Sequence, residues 1–389
     1  MDKRLALFVP VAYSTAFFLG IEIGGFQLIL LETAKAFNLN NVMMGVLVGS
    51  QYMAITLGPL LFGWIADRIG KKTILLFSMP LFALGCFGAA LSGTISVLTS
   101  SVFFIGIGYS VTESISSSAI SDSFPGKEPR YLNFMQCVFC LGAVISPQIF
   151  SRLMAASLAT WRAVFVFSGS GFVLVYPLLC FSHCKQGTPQ NHNTEYPKKE
   201  TPHIMNPLLF FLVISMLSYV GIETGIAFFA YAIYVTEYSN TTLGAYAISG
   251  FWLSMTVSKF IFALTKIKMQ NMVLLGFSAS CVLFVMLLFF RNQWALMGIF
   301  IMFGAVLGPA WPMIIGIGTS SFRERSGTVA SLLTASGGFG GAVIPVMIGY
   351  ISTKAGFYSG FWLLIAVSVI GFFAMWFGKK NIRKTENSA

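Results

Sequence analysis

Charge is scarce in this chain of 389 residues: Asp, Glu, Lys and Arg together make up 10%, against about a quarter in ordinary soluble domains. Histidine occurs only three times. This poverty excludes several functions. No Ser-His-Asp order, phosphate loop or zinc spacing is present, and His is nearly absent from the apolar runs, so an enzyme is not expected. No ATP-binding domain is present either, which leaves a gradient or a partner chain as the source of energy. The six cysteines (Cys86, Cys137, Cys140, Cys180, Cys184 and Cys281) lie in or beside apolar segments. Cys137 and Cys140 form a C-x-x-C without further ligands nearby, so they read as packing residues, and no metal or cofactor is expected.

What is abundant is apolar: 56% of the residues, 39 of them Phe, with a mean hydropathy of +0.80. The formal charge of +11 could suggest nucleic acid, but the basic residues sit in short loops between hydrophobic runs, where they orient a membrane protein. The expected surroundings are a lipid bilayer, with no nucleic-acid partner. Twelve runs have spanning length, roughly 5–32, 43–65, 73–92, 95–119, 131–155, 161–181, 207–236, 243–264, 271–290, 294–318, 327–352 and 357–378. Met1-Asp2-Lys3-Arg4 opens directly into a first span too long for a signal h-region, so no cleavable leader is expected. With the N-terminus inside, 18 Lys and Arg fall on the cytoplasmic side and 5 on the other, with Lys259 inside span eight. Both termini are therefore expected in the cytoplasm. The polar stretch 182–206, which holds His183, His192 and His203, reads as a linker between an N-terminal bundle (1–181) and a C-terminal one (207–389) with a short cytoplasmic tail. A His-rich metal site there is the alternative, but the spacing matches no ligand pattern.

The two halves repeat. Gly20-Ile21-Glu22-Ile23-Gly24 in span one returns as Gly221-Ile222-Glu223-Thr224-Gly225 in span seven. Gly142-Ala143-Val144-Ile145-Ser146-Pro147 in span five returns as Gly341-Ala342-Val343-Ile344-Pro345 in span eleven, at nearly the same offset. Two matches at one offset point to a duplication, and a carboxylate retained at the same place in both copies points to a carrier built around a central polar site.

After span two comes Gly63-Trp64-Ile65-Ala66-Asp67-Arg68-Ile69-Gly70-Lys71-Lys72, which resembles the signature loop of the major facilitator superfamily. That resemblance implies an all-α fold of twelve transmembrane helices in two pseudo-symmetric six-helix bundles. It also implies a gating role for Gly63, Asp67, Arg68, Gly70 and Lys71, with Asp67 in a charge-relay network that holds the inner side closed. A generic positive-inside loop is the other reading. The counterpart after span eight, Thr265-Lys266-Ile267-Lys268, lacks the Asp and the Gly, so any gate is asymmetric. Within the superfamily, Tyr219-Val220-Gly221-Ile222-Glu223 and Phe251-Trp252-Leu253-Ser254-Met255-Thr256-Val257-Ser258-Lys259-Phe260 resemble segments of the fucose/galactose/hexose proton symporters, and Glu113 occupies a position like that group's proton-linked Glu. The group's span-one acid falls nearer Gln27 than Glu22, and positions five residues apart on a helix do not share a face.

Glu22, Glu113 and Glu223 are the acids well inside spans, and they are the candidates for proton coupling. A carboxyl taken out of water favours its neutral form, so a Glu exposed to each side in turn can carry a proton. Tyr109, Ser110, Ser116 and Ser117 lie at helical spacing from Glu113, and Tyr219, Tyr231 and Tyr234 stand near Glu223. Rings with hydroxyls beside carboxylates suit a sugar. Gln27, Gln51, Trp252 and Trp311 are further substrate-binding candidates, although each alone also reads as packing. Trp311 lies in Gly308-Pro309-Ala310-Trp311-Pro312, which should break span ten where backbone lines a cavity. Lys259 is read as snorkelling to the cytoplasmic surface, with pairing to a membrane Glu or binding of an anion as alternatives. With no other deep cation, a strongly anionic substrate such as a sugar phosphate is disfavoured.

The expectation is thus a monomeric, multi-pass carrier of a bacterial inner membrane, working by alternating access and taking up a neutral sugar or similar small polar solute with protons. A proton-driven exporter of cationic or lipophilic compounds is the runner-up, because buried acids beside Phe and Met walls would suit cations equally well. A receptor that retained the carrier fold without transporting is a third reading, which the Asp67 loop and the duplicated acids weigh against.

Overall fold

The computed structural model describes residues 3–124, 128–182, 206–263, 267–322 and 326–387, and among these it is helical with short connections and no strand. In chain order the helices are α1 (Lys3–Phe37), α2 (Asn41–Ile69), α3 (Lys71–Ala90), α4 (Ile95–Ser123), α5 (Glu128–Ala155), α6 (Arg162–Phe181), α7 (Pro207–Tyr238), α8 (Thr241–Ala263), α9 (Met269–Phe289), α10 (Gln293–Leu307), α11 (Ala310–Ser321), α12 (Ser326–Ala355) and α13 (Gly360–Asn387). Local chemistry sets several boundaries. Asn206 caps α7 by accepting from the Leu208 N–H at 2.9 Å, and Asn292 caps α10 by accepting from Trp294 N at 2.8 Å. Gly70, at φ 99°, makes the sharp turn from α2 into α3. Span ten breaks after Leu307, where Pro309 can offer no N–H to continue the ladder, and it resumes as α11 at Ala310.

Eleven spans among the described residues are long and apolar enough to cross a membrane, α10 and α11 counting together as one. Twelve runs are expected from the sequence. The difference is α8, which is long enough but carries Thr241, Thr242, Ser249, Ser254, Thr256, Ser258 and Lys259 and so falls short in hydropathy. The stretch 183–205 expected to be a linker lies outside the described residues.

The repeated sequence motifs pack on one another. In a bilayer the water-driven force between helices is missing, so small residues that admit close backbone contact hold helices together. A Cβ on Gly24 would stand 2.5 Å from the carbonyl oxygen of Ala143 on α5, and one on Gly20 would strike the Phe139 carbonyl. In the second half a Cβ on Gly221 would stand 2.5 Å from Ile344 on α12. Gly20, Gly24 and Gly221, which flank the duplicated acids, are thus notches for α5 and α12, and they fix the rotation of α1 and α7.

Among the described residues, contacts between the first six helices and the rest gather toward one end, where α1 passes into α2 and α7 into α8. A Cβ on Gly45 of α2 would come within 2.5 Å of the Pro345 carbonyl of α12, and one on Gly49 within 2.7 Å of the Ala342 carbonyl. Across α5 and α8, Gln148 donates to the Ala245 carbonyl at 3.1 Å and to Ser249 Oγ at 2.9 Å, and Ser249 donates to the Val144 carbonyl at 2.7 Å. Phe26 of α1 meets Phe228 of α7 edge-on at 5.3 Å. This end is shut.

Candidate functional site

Beneath the closed end lies a cavity of about 310 Å³, with walls from α1, α2, α4, α5, α7, α8, α11 and α12. Its charged lining is Glu113 of α4, Glu223 of α7 and Lys259 of α8. Glu113 accepts from Gln136 Nε2 of α5 at 3.2 Å, and Tyr219, one turn earlier on α7, lines the cavity beside Glu223. Tyr109, Tyr219, Trp252 and Trp311 supply ring faces, and Tyr219 and Trp311 pack with ring centroids 6.4 Å apart. Aromatic faces beside hydroxyls and carboxyls can hold a solute that has both apolar and hydroxylated sides.

Glu22 is elsewhere. It is completely buried, faces away from the cavity and receives Gln51 Nε2 on both carboxylate oxygens at 3.0 Å. Gln51 is equally buried, and its own Oε1 has no partner. Gln27 accepts from Trp252 Nε1 at 2.9 Å, a tie between α1 and α8 across the two halves, and does not line the cavity. Tyr231 does not line it either: its ring lies where a Cβ on Gly244 of α8 would sit, above the cavity. Among the candidate residues, then, Glu113, Glu223, Tyr109, Tyr219, Trp252 and Trp311 come together, while Glu22, Gln51, Gln27 and Tyr231 do not join them.

Lys259 requires a correction. Its height near one end of α8 favoured snorkelling to the surface, but it lines the cavity, with its charge within reach of both Glu113 and Glu223. Distance from a helix end gives height, not facing. Tyr52, Ile55 and Pro59 of α2, which are not among the candidates read from the sequence, share a wall of the cavity. Their spacing of three and seven residues is a helical stripe and was the available signal. Of the signature loop, Gly63, Asp67 and Arg68 fall in the last turns of α2 with their side chains outside the described residues. Lys71 is buried and donates to Ser118 of α4 at 2.6 Å, and Lys72 donates to the carbonyls of Cys180 and Ser182 at 2.8 and 2.6 Å.

The family model for the major facilitator superfamily matches residues 12–333. The chain belongs to the major facilitator superfamily. It is similar to the protein TsgA homolog of Buchnera aphidicola subsp. Schizaphis graminum, at 23% identity over 366 residues and 92% of each chain. The glucose/mannose transporter GlcP of Bacillus subtilis is 22% identical over 269 residues, 64% of each chain. Among solved structures, a D-xylose-proton symporter superposes with a TM-score of 0.80 at 16% identity, over 96% of this chain and 97% of that one. The family and fold are those of transporters rather than enzymes, and the chain is an integral, multi-pass membrane protein.

Proposed function

We propose that this superfamily member is a secondary active transporter that takes up a small polar, sugar-sized solute together with protons, by alternating access. The observation that carries the reading is the cavity shut at one end, with two carboxyls, Glu113 and Glu223, in its wall and Glu113 held by the neutral amide of Gln136. A carboxyl that meets water only through such a cavity can load and release a proton as the open side alternates. Glu22, held by Gln51 behind the wall, is a third candidate for that role. The architecture in this proposal is twelve spans in two bundles, 1–181 and 207–389, joined by the linker 182–206, with both termini cytoplasmic. The shut end then faces outward and the cavity serves the cytoplasmic side. Gly63, Asp67, Arg68, Gly70 and Lys71 would form the inner gate. Bacterial relatives support placement in a bacterial inner membrane, and nothing in the mechanism needs more than one copy.

An exporter of organic cations would use the same carboxyls and aromatic walls. The ammonium of Lys259 in the same cavity weighs against it, since it repels a cationic solute. The test is proton movement in proteoliposomes with a pH dye in the lumen, challenged with sugars and with organic cations. Acidification of the lumen by a particular sugar, abolished in Glu113→Gln, is the expected result. A response to cations alone would overturn it.

A further inference from the structure

Proton-coupled uptake leaves one charged group of the cavity without a task. Lys259 lines the wall, yet among the described residues its Nζ lies within 4.0 Å of no carboxylate, and Lys35–Glu32 is the one ion pair found there. Of the two acids near it, Glu113 is engaged by the Gln136 amide, and Glu223 lines the wall beside Tyr219. Glu113 and Lys259 each stand about 27 Å along their helices from Ile95 and Thr241, and both reach the same cavity. The ammonium thus faces the space between α4, α7 and α8, in a protein where an unmatched charge at membrane depth is costly. A cation held in that way is matched by an anion that arrives.

We propose that Lys259 is the counter-charge for a carboxylate on the solute, and that the transported class is a hydroxylated monocarboxylate of about hexuronate size. This rests on the reading of the cavity as the transport site. Each part of the class follows from a wall. One ammonium balances one negative charge, while a dianion such as a phosphate monoester would meet Glu113 and Glu223 with a charge left over. Ser114, Ser117 and Gln136 surround Glu113 with groups that donate to and accept from hydroxyls. Trp252 and Trp311 offer flat apolar faces to the remaining side of a ring. The volume of about 310 Å³ is at the small end for ligand pockets, which fits one ring.

Galacturonate and galactose differ only in a carboxylate against a hydroxymethyl group, and they are the probes. Binding to the purified full-length protein is read by quenching of tryptophan fluorescence, since Trp252 and Trp311 line the cavity. The unaltered protein is expected to bind galacturonate at least about tenfold more tightly than galactose, as for an anion meeting its counter-charge. Lys259→Arg keeps that preference, and Lys259→Gln reduces it to less than about threefold. Equal binding of the two by the unaltered protein, a preference that survives in Lys259→Gln, or no binding of galacturonate overturns the assignment. Proteoliposomes separate this from the reading beneath it. Proton movement with galactose and none with galacturonate removes the carboxylate and leaves sugar uptake standing. Galacturonate binding that needs Lys259, without proton movement, keeps the carboxylate site and removes proton coupling.

Discussion

Replacing Gln148 by Leu should loosen the closed end. The amide of Gln148 makes two hydrogen bonds from α5 to α8, to the Ala245 carbonyl and to Ser249 Oγ, and Leu of similar size keeps the packing while losing both. Hydrogen bonds between membrane helices are worth about 0.6 kcal/mol on average and up to about 1.7. Losing two therefore costs the closed arrangement about 1–2 kcal/mol relative to one opened at that end, where neither bond exists. At about 1.4 kcal/mol per factor of ten, the ratio of open to closed molecules rises about five- to thirtyfold. Spin labels at Leu158, before α6, and at Trp294, in the first turn of α10, report on the two halves at this end, and both positions are exposed (76% and 60%). Pulsed dipolar spectroscopy should show a longer-distance population growing in Gln148→Leu and growing further when Ser249→Ala also removes the bond to Val144. Distance distributions that coincide with the unaltered protein in both variants would mean that these bonds do not hold the end shut, and the account of the closed end would fail.

Four shorter expectations accompany it. Glu113→Gln abolishes proton movement but leaves exchange of labelled solute across the membrane, because Gln keeps the bond with Gln136 and removes only the titratable group; loss of exchange as well would make Glu113 a solute contact. Glu22→Gln leaves solute affinity within about threefold, since Glu22 is sealed behind Gln51 outside the cavity, and a larger loss in equilibrium binding would contradict that placement. Gln27→Leu leaves the indole N–H of Trp252 unpaired and destabilises the closed arrangement by about 1–3 kcal/mol, measurable as a lower unfolding temperature in detergent; an unchanged temperature would show that the N–H finds another acceptor. Gly24→Leu drives a side chain into the Ala143 backbone and costs at least about 1–3 kcal/mol, so the yield of monodisperse protein should fall well below that of Gly298→Leu, where a Cβ would meet open space.

The features legible in the sequence were those that work through composition or through cost. An acid inside an apolar run is too expensive to be accidental, so Glu113 and Glu223 stood out, and both line the cavity. Pro309 removes a backbone donor whatever surrounds it, so the break between α10 and α11 was readable from the residue alone. Helix rotation was harder to read. Gln51 and Tyr52 are neighbours about 100° apart, and one turns to Glu22 while the other turns to the cavity. Tyr231 follows Glu223 by eight residues, about 80° off its face, and lands above the cavity beside Gly244. Lys259 shows the same limit: its height was correct and its facing was not, because only the packing of α8 against α5 and α10 decides which way it points.

The interlocking of the two repeated motifs has a genetic corollary. Gly24 fits against Ala143 within the first half, and Gly221 fits against Ile344 within the second, so each of these two joints lies inside one half. A duplication event copies such a pair intact, and neither copy depends on the other for its fit. Later drift is then free to proceed separately in each half, which is how Ile23 faces Thr224 at equivalent positions without disturbing either joint. Suppressors of a bulky change at Gly24 will therefore map to α5 and never to α12, so a selection experiment would divide the chain into two linkage groups at the boundary of the ancient copy.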